Sequence, residues 1–248
     1  MIKRILSSLV ILLFCVTVSA QQQVYELRTY ELEFFTKADV LHNYFEQALI
    51  PALNRQGIAT VGAFEEAGER LPRKLYLLIP FDNIQAFADS KDLLAKDQKY
   101  LKDADDYLKT SPELIPFRIV STDLISAASG FPELVKPAND ATFFELRIYE
   151  SYNEDALRRK VKMFNDSEFK IFDDVGLPMV FFGANIAGSQ MPCLTYLLAF
   201  KDEAARASGW AKFGPHPEWQ RILKLEEYAN TVSDITRVFL KPLSYSQL

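Results

Sequence analysis

The chain has 248 residues, of which 28 are Lys or Arg and 33 are Asp or Glu, giving a formal net charge of −5. This acidic balance argues against nucleic acid or an anionic membrane surface as a partner. Its length is sufficient for two domains of about 110 residues, each with its own apolar core.

The first twenty residues are typical of an export signal. Lys3 and Arg4 precede an apolar run over residues 5–18, and the small residues Ser19 and Ala20 follow it. The run is shorter than the roughly 20 residues that a membrane-spanning helix needs. We therefore predict cleavage after residue 20 and export to the bacterial periplasm or medium, without stable membrane insertion. Cleavage removes two basic residues, which takes the net charge from −5 to −7.

The next segment, residues 21–126, is predicted to form a first domain. Apolar and polar residues alternate over residues 24–32, as in a strand. Thr36 and Asp39 resemble a capping box, and the helical stripe that follows ends at Gly57. Pro51 lies inside that stripe and predicts a kink or break near Ile50, because proline removes a helix donor.

Two short strands over residues 58–66 and 74–81 are predicted to form a hairpin. Asn83 is a candidate cap for a second helical region, which Pro112 ends. A last strand is predicted over residues 117–125. The order β-α-β-β-α-β is the split βαβ pattern, with four antiparallel strands and both helices on one face.

Residues 127–141 break all periodicity and are interpreted as a linker before a second domain over residues 142–248. The second domain repeats the first. Tyr25-Glu26-Leu27-Arg28-Thr29-Tyr30 returns as Phe144-Glu145-Leu146-Arg147-Ile148-Tyr149, 119 positions later. The same offset superposes Gly57 on Gly176 and Arg118 on Arg237, and an offset of 120 superposes Tyr76-Leu77-Leu78 on Tyr196-Leu197-Leu198.

The second copy is predicted to have the same elements. Asn153 caps its first helix, and strands follow over residues 179–187 and 194–200. Its second helical region differs, since Pro217-Glu218-Trp219 interrupts it before helix resumes over residues 222–229. A strand over residues 236–240 closes the sheet.

The paired E-L-R-x-Y strands, the glycine after each first helix and the Pro217-Glu218-Trp219 element resemble the NIPSNAP family, over residues 24–240. The first copy lacks the Pro-Glu-Trp element. The resemblance implies an α+β fold in which two tandem ferredoxin-like domains pack sheet to sheet as an intramolecular dimeric α/β barrel. It implies no particular reaction, although other barrel relatives include cofactor-independent monooxygenases and haem enzymes.

The repeated motif supplies most of the candidate site residues. If the apolar side of each first strand faces its own helices, the motif's polar side chains face the barrel interior, with Arg118 and Arg237 beside the glutamates. They form either a polar ligand pocket or a buried ion-pair network that fixes the sheet packing, and repetition in both copies favours the network. We expect Glu26 to be ion-paired with Arg28 or Arg118, and Glu145 with Arg147 or Arg237, inside or at the mouth of the barrel. The candidates are Glu26, Arg28, Tyr30, Arg118, Glu145, Arg147, Tyr149 and Arg237.

His216 is a further candidate, held between two prolines near Trp210, Phe213 and Trp219. It is either a ligand-binding residue or a histidine in a surface turn. His42, off the apolar stripe of its helix, is predicted to be exposed, and Cys193 is predicted to be a buried thiol at a strand edge. No residue pattern indicates a metal site or a cofactor.

Two classes of function remain. The first is an exported, non-catalytic protein that binds a small molecule or a protein partner through the barrel cleft. The second is a cofactor-independent enzyme, a monooxygenase or isomerase, that acts inside one end of the barrel. A cavity that converges on Tyr and Glu side chains and on His216 would favour the enzyme, and a filled barrel with neutralised charges would favour the binding protein.

Overall fold

The computed structural model describes residues 22–34 and 36–248, so the predicted signal segment lies outside the described residues. The described part of the first half contains four strands, five α-helices, a π-helical segment and a 3-10 turn. Its elements are β1 (Val24–Leu32), α1 (Asp39–Asn43), the π-helical segment Tyr44–Leu49, α2 (Ile50–Arg55), β2 (Gly62–Glu66), β3 (Lys74–Phe81), α3 (Ile84–Lys96), α4 (Gln98–Asp103), α5 (Asp105–Leu108), the 3-10 turn Pro112–Leu114 and β4 (Phe117–Ala127).

The second half repeats this order after a connecting segment over residues 128–142. Its elements are β5 (Phe143–Glu150), α6 (Glu154–Met163), the π-helical segment Phe164–Glu168, α7 (Phe169–Val175), β6 (Met179–Ala187), β7 (Cys193–Phe200), α8 (Glu203–Phe213), α9 (Pro217–Ile222), the 3-10 turn Glu226–Tyr228 and β8 (Asp234–Pro242).

The strands form one closed antiparallel barrel in the order β1-β3-β2-β8-β5-β7-β6-β4. Each half contributes four neighbouring strands, and two joints connect the halves. At one joint Phe64–Glu66 of β2 pairs with Leu240–Pro242 of β8, and at the other Leu124–Ala127 of β4 pairs with β6. The predicted α+β fold, with two tandem halves packed sheet to sheet, is confirmed.

The helices lie outside the barrel, so β1, β3, β5 and β7 are largely buried on both faces, whereas much of β4 and β8 is exposed. One apolar cluster lies between the sheet and helices of each half, and a third fills the barrel. The barrel cluster includes several large side chains that are almost completely buried: Tyr25, Phe64, Phe144 and Phe181. The connecting segment adds Leu134 and the C-terminal tail adds Leu248, so both close the same end of the barrel.

Local signals explain several helix ends. The side chains of Asn83, Asn153 and Asp202 each accept a hydrogen bond from the third backbone N–H that follows, as predicted for the first two. Gly57 and Gly176 both adopt positive φ at the end of the first helical region, with φ of 94° and 78°.

Two predicted helix details are wrong. No side chain caps α1, because the Thr36 hydroxyl instead donates to the carbonyl oxygens of Glu33 and Pro116. The helix predicted over residues 222–229 is only the end of α9 and a 3-10 turn. The irregularity expected near Ile50 is present as the π-helical segment Tyr44–Leu49. The second half has a matching π-helical segment without a proline, so proline is not its only cause.

The joint between β4 and β6 makes the fold sensitive to one glycine. A Cβ atom at Gly183 would lie against the carbonyl oxygen of Ser126 across that joint. Gly183→Ala is therefore expected to lower the free energy of unfolding by about 1–3 kcal/mol, as overpacking does. Urea denaturation would measure the loss. The control is Gly214→Ala, where a Cβ meets open space at a φ of −53° and little change is expected. Equal effects of the two changes would contradict the prediction.

Candidate functional site

The repeated motif faces the helices and not the barrel interior, so the predicted orientation is wrong. Tyr30 belongs to the apolar cluster beneath the first-half helices, and Glu145 bonds side chains of α8. The alternate residues Tyr25 and Leu27 face the barrel. Strand alternation defines two faces but does not say which of them meets the helices when both are buried.

In the first half the motif forms a simple ion pair. Arg28 donates two hydrogen bonds to the Glu26 carboxylate, at 2.8 and 2.9 Å. The Thr122 hydroxyl adds a third at 3.1 Å. The pair accounts for one positive and one negative charge, so this cluster is neutral, as predicted for Glu26 with Arg28.

In the second half the same glutamate is the centre of a larger network. Glu145 is completely buried and accepts hydrogen bonds from Arg147 at 2.7 Å, from Arg206 at 2.7 and 3.1 Å, and from the Trp210 indole at 2.7 Å. Burial alone would raise the pKa of Glu145, but the Arg206 bonds, the Arg147 charge and the Trp210 bond outweigh it. The pKa lies below its ordinary value.

Arg147 is stacked within this network but is not fully bonded. Its guanidinium lies 4.3 Å from the centroid of the Trp210 ring and 5.3 Å from that of Tyr149. The residue is only 7% exposed, and its buried Nε has no hydrogen-bond partner. One strong hydrogen-bond donor in the Glu145 network therefore has no acceptor.

A second buried ion pair joins α6 to the π-helical segment that follows it. Lys160 donates to the Glu168 carboxylate, and both side chains are at most 5% exposed. The Lys160 ammonium also lies 5.7 Å from the Tyr149 ring centroid. Burial raises the pKa of Glu168 although Lys160 opposes the shift. At the 119-residue offset the first half has Leu41 and Leu49 in these positions, both completely buried.

Tyr149 and Tyr196 share a hydrogen bond of 2.8 Å between their hydroxyl groups beneath the same helices. The predicted superposition of Tyr76 on Tyr196 is wrong by one residue. Arg28 pairs with Leu77 across β1 and β3, as Arg147 pairs with Tyr196 across β5 and β7. Tyr76 therefore faces the barrel, where it donates to Glu66.

The two remaining arginines are not beside the glutamates and are not equivalent to each other. Arg118 is exposed and pairs with Glu31 at the start of β4. Arg237 is exposed and lies directly opposite Arg147 in the pairing of β5 with β8. The residue opposite Arg28 on β4 is Thr122. The equivalent of Arg237 is thus Thr122, because the last strands are offset by 115 positions and not by 119.

The two histidines and Cys193 lie outside these buried ion-pair networks. His216 lies immediately before α9 and is partly buried, with Nε2 3.8 Å from an Asp174 oxygen and no partner on Nδ1. His42 was predicted to be exposed but is half-buried, 2.7 Å from the Tyr245 hydroxyl of the C-terminal tail. Burial raises the pKa of the Cys193 thiol to about 12, so it is not a ready nucleophile.

A cleft of about 300 Å³ lies at the end of the barrel that the connecting segment closes. It runs between the loop after α2, the end of β3, one side of α3 and the connecting segment. Polar side chains and a few apolar ones line it, namely Gln23, Gln56, Thr60, Asp82, Asp89, Ile58, Phe81, Leu93 and Leu134. No lysine or arginine is among these described residues.

Two further kinds of feature are absent from residues 22–34 and 36–248. There, no group of three or more His, Cys, Asp and Glu side chains is arranged to hold a metal ion. No helix in the same part of the chain is long and apolar enough to cross a membrane.

Motif comparison missed the partners that distinguish the second half. Lys160, Glu168, Arg206 and Trp210 belong to no repeated pattern, so similarity between the copies does not select them. A comparison of the differences between the copies would have identified Lys160 and Glu168. This ionic pair replaces Leu41 and Leu49 of the apolar stripe in the first half. Arg206 and Trp210 are on a helix whose sequence differs between the copies.

Comparisons with known proteins agree with the fold. A presumed monooxygenase from Fusobacterium nucleatum has a similar structure, with a TM-score of 0.59 at 12% identity, covering 91% of this chain and 94% of that one. A presumed monooxygenase from Lactobacillus acidophilus gives a TM-score of 0.53 at 11% identity, covering 89% and 94%. At these identities the likeness establishes the fold alone.

An uncharacterized NIPSNAP-like domain protein from Burkholderia xenovorans is 20% identical, with a TM-score of 0.39, and covers 44% of this chain and 90% of that one. No curated protein matches the sequence. The NIPSNAP family model matches twice, over residues 25–112 and 144–247, once in each half of the barrel. The chain therefore belongs to the NIPSNAP family, with both halves of a dimeric α/β barrel in one polypeptide.

Proposed function

We propose that this protein is an exported, non-catalytic binding protein that takes a small polar molecule in the cleft at the end of the barrel. The observation that carries the proposal is the filled barrel. Tyr25, Phe64, Phe144 and Phe181 occupy its interior, while the cleft beside it is open to solvent. A cofactor-independent monooxygenase or isomerase inside a barrel end would need that interior space for its substrate.

The repeated Glu and Arg side chains support binding over catalysis. A general acid or base needs a proton-transfer group within reach of a substrate. Glu26 and Glu145 instead are buried beneath helices and have arginine partners at 2.7 to 2.9 Å. Such pairs stabilise one arrangement of sheet and helices, and removing either partner leaves an uncompensated charge.

The cleft's size and chemistry indicate the kind of ligand. Its volume is at the lower end of the range for small-molecule sites, about 300–1,000 Å³. Asp82 and Asp89 place two exposed carboxylates on its wall, and Leu93 and Leu134 supply apolar contact. Carboxylates without an accompanying cation repel anions and attract amines or hydroxyl groups. The ligand is therefore neutral or positively charged.

Reversing one charge in the cleft tests this proposal. We expect choline, putrescine or glucose to raise the melting temperature of the mature protein, and sodium chloride at the same concentration to have no such effect. Asp89→Lys should weaken binding by about tenfold, the loss expected for one charged contact. The matched control is Asp92→Lys, three residues along α3 and outside the cleft lining.

Differential scanning fluorimetry followed by isothermal titration calorimetry would measure both effects. The proposal is wrong if none of the three compounds binds, or if Asp89→Lys and Asp92→Lys bind them equally well. Intact mass of the exported protein tests the export step separately, with an N-terminus near Gln21 expected.

A further inference from the structure

We propose that the helix-facing side of β5 and β8 binds a small oxyanion, a carboxylate or a phosphate group, between Arg147 and Arg237. This site lies in the second half and is separate from the cleft, which the first half and the connecting segment line. The inference therefore goes beyond the proposed function and does not depend on it.

The first observation is a pair of like charges. Arg147 and Arg237 are directly opposite each other in the antiparallel pairing of β5 with β8, so both side chains leave the same face of the sheet. Like charges in this arrangement repel and destabilise a strand pair. The first half has no such conflict, because the residue opposite Arg28 is Thr122, whose hydroxyl donates to Glu26.

The second observation is the charge balance around this pair. Among the described residues, those joined by these ion pairs and by the pairing of β5 with β8 comprise four cations, Arg147, Arg206, Arg237 and Lys160, and two carboxylates, Glu145 and Glu168. Both carboxylates already have partners, Glu145 with two arginines and Glu168 with Lys160. Excess positive charge next to a buried network is unfavourable without an anion.

The third observation is that Arg147 has a hydrogen-bond donor without an acceptor and that Arg237 has no ion-pair partner among the described residues. The Nε of Arg147 is buried without a partner in a residue that is 93% removed from solvent. Arg237 has no ion-pair partner within residues 22–34 and 36–248, whereas Arg118, the exposed arginine on the last strand of the first half, pairs with Glu31. Guanidinium groups bind carboxylate and phosphate oxygens through two parallel hydrogen bonds.

The surroundings also fit a ligand with an apolar part. The Trp210 ring covers Arg147 from the helix side. Tyr149 pairs with Ile235 across the same two strands, and Ile235 is 38% exposed next to Arg237 in the strand's alternation. A small organic acid would therefore place its charged group between the arginines and its carbon skeleton on these side chains.

Intrinsic fluorescence reports on the second half alone. The whole chain has two tryptophans, Trp210 and Trp219, and both pack against the apolar cluster between the sheet and helices of that half. The mature protein would be titrated with benzoate, acetate and inorganic phosphate at constant ionic strength, with chloride as the balancing anion. We expect a saturable change in tryptophan emission for at least one of the three. The anion that saturates at the lowest concentration distinguishes a carboxylate site from a phosphate site.

Arg237→Gln is the decisive variant, because the side chain is exposed and its loss leaves the buried network intact. It should weaken the saturable response by about tenfold, the loss expected for one charge-assisted contact. Arg118→Gln, at an exposed arginine in the first half, should leave the response unchanged. The inference is overturned if none of the anions gives a saturable response beyond that of chloride, or if Arg237→Gln responds like the unaltered protein.

Discussion

Replacing Glu145 with glutamine is expected to destabilise the protein by about 3–5 kcal/mol, the cost of leaving buried charges without their partner. The substitution keeps the shape of the side chain but removes the charge that Arg147, Arg206 and Trp210 share. Glu145 is completely buried, so water cannot compensate. Urea denaturation at pH 7 would measure the loss.

The first half provides the matched control. Glu26→Gln removes a charge with one arginine and one threonine as partners, and the Arg28 side chain is 22% exposed. A loss of about 1.5–3 kcal/mol is expected there, as for a hydrogen bond to a charged group. If both substitutions have the same effect, Glu145 is not the more strongly stabilising residue.

The pH dependence of stability gives the same prediction a second test. The folded-state pKa of Glu145 is lowered, so its contribution is present above the unfolded-state pKa of about 4.3 and is lost as pH falls through the folded-state value. The difference in stability between the unaltered protein and Glu145→Gln should therefore shrink below about pH 4. A difference that grows on acidification would contradict this assignment.

Replacing both members of the Lys160–Glu168 pair with leucine is expected to leave stability unchanged or to raise it by about 1–4 kcal/mol. The first half already has leucine at the equivalent positions, Leu41 and Leu49, in the same helical setting. Glu168→Leu alone leaves a buried ammonium uncompensated and should cost about 3–5 kcal/mol. Lys160→Leu should cost less, because burial raises the pKa of Glu168 and loss of the Lys160 charge raises it further, so the carboxyl group in this variant can take up a proton more readily.

A double-mutant cycle over these three variants would measure the coupling between the two side chains. Strong coupling with a tolerated double substitution would show that the pair is not needed for stability. If the double variant is as unstable as Glu168→Leu, the second half cannot adopt the apolar packing of the first. A further titration of the double variant with benzoate would show whether the pair contributes to anion binding.

The sequence predicts the fold because the repeat constrains it twice. Strand alternation, the helix caps at Asn83 and Asn153, and the paired glycines at the helix ends all concern local geometry, and these predictions are confirmed. The first strands and the glycines repeat at 119 positions, so each half checks the other. The ion pairs Glu26–Arg28 and Glu145–Arg147 follow from the cost of burying an unpaired charge.

The orientation of the candidate site was not predictable in the same way. Each motif strand, β1 and β5, has two buried faces, one toward the helices and one toward the sister sheet, and apolar residues occur on both. The 119-residue offset does not locate the equivalent of Arg237 either. The segment between β3 and β4 in the first copy differs in length from the segment between β7 and β8 in the second. Only the register of β5 with β8 places Arg237 opposite Arg147.

Because both barrel halves belong to one polypeptide, the number of equivalent ligand sites per barrel can differ from that of a barrel built from two identical subunits. In a barrel built from two identical subunits every substitution appears twice, so a charged network would come with an identical counterpart on the other side. A single chain is free of that constraint, and here Lys160 and Glu168 stand on one side where Leu41 and Leu49 stand on the other. One half can specialise while the other keeps the scaffold stable. Any ligand that binds between Arg147 and Arg237 should accordingly bind once per barrel, without the cooperativity that paired, equivalent sites allow.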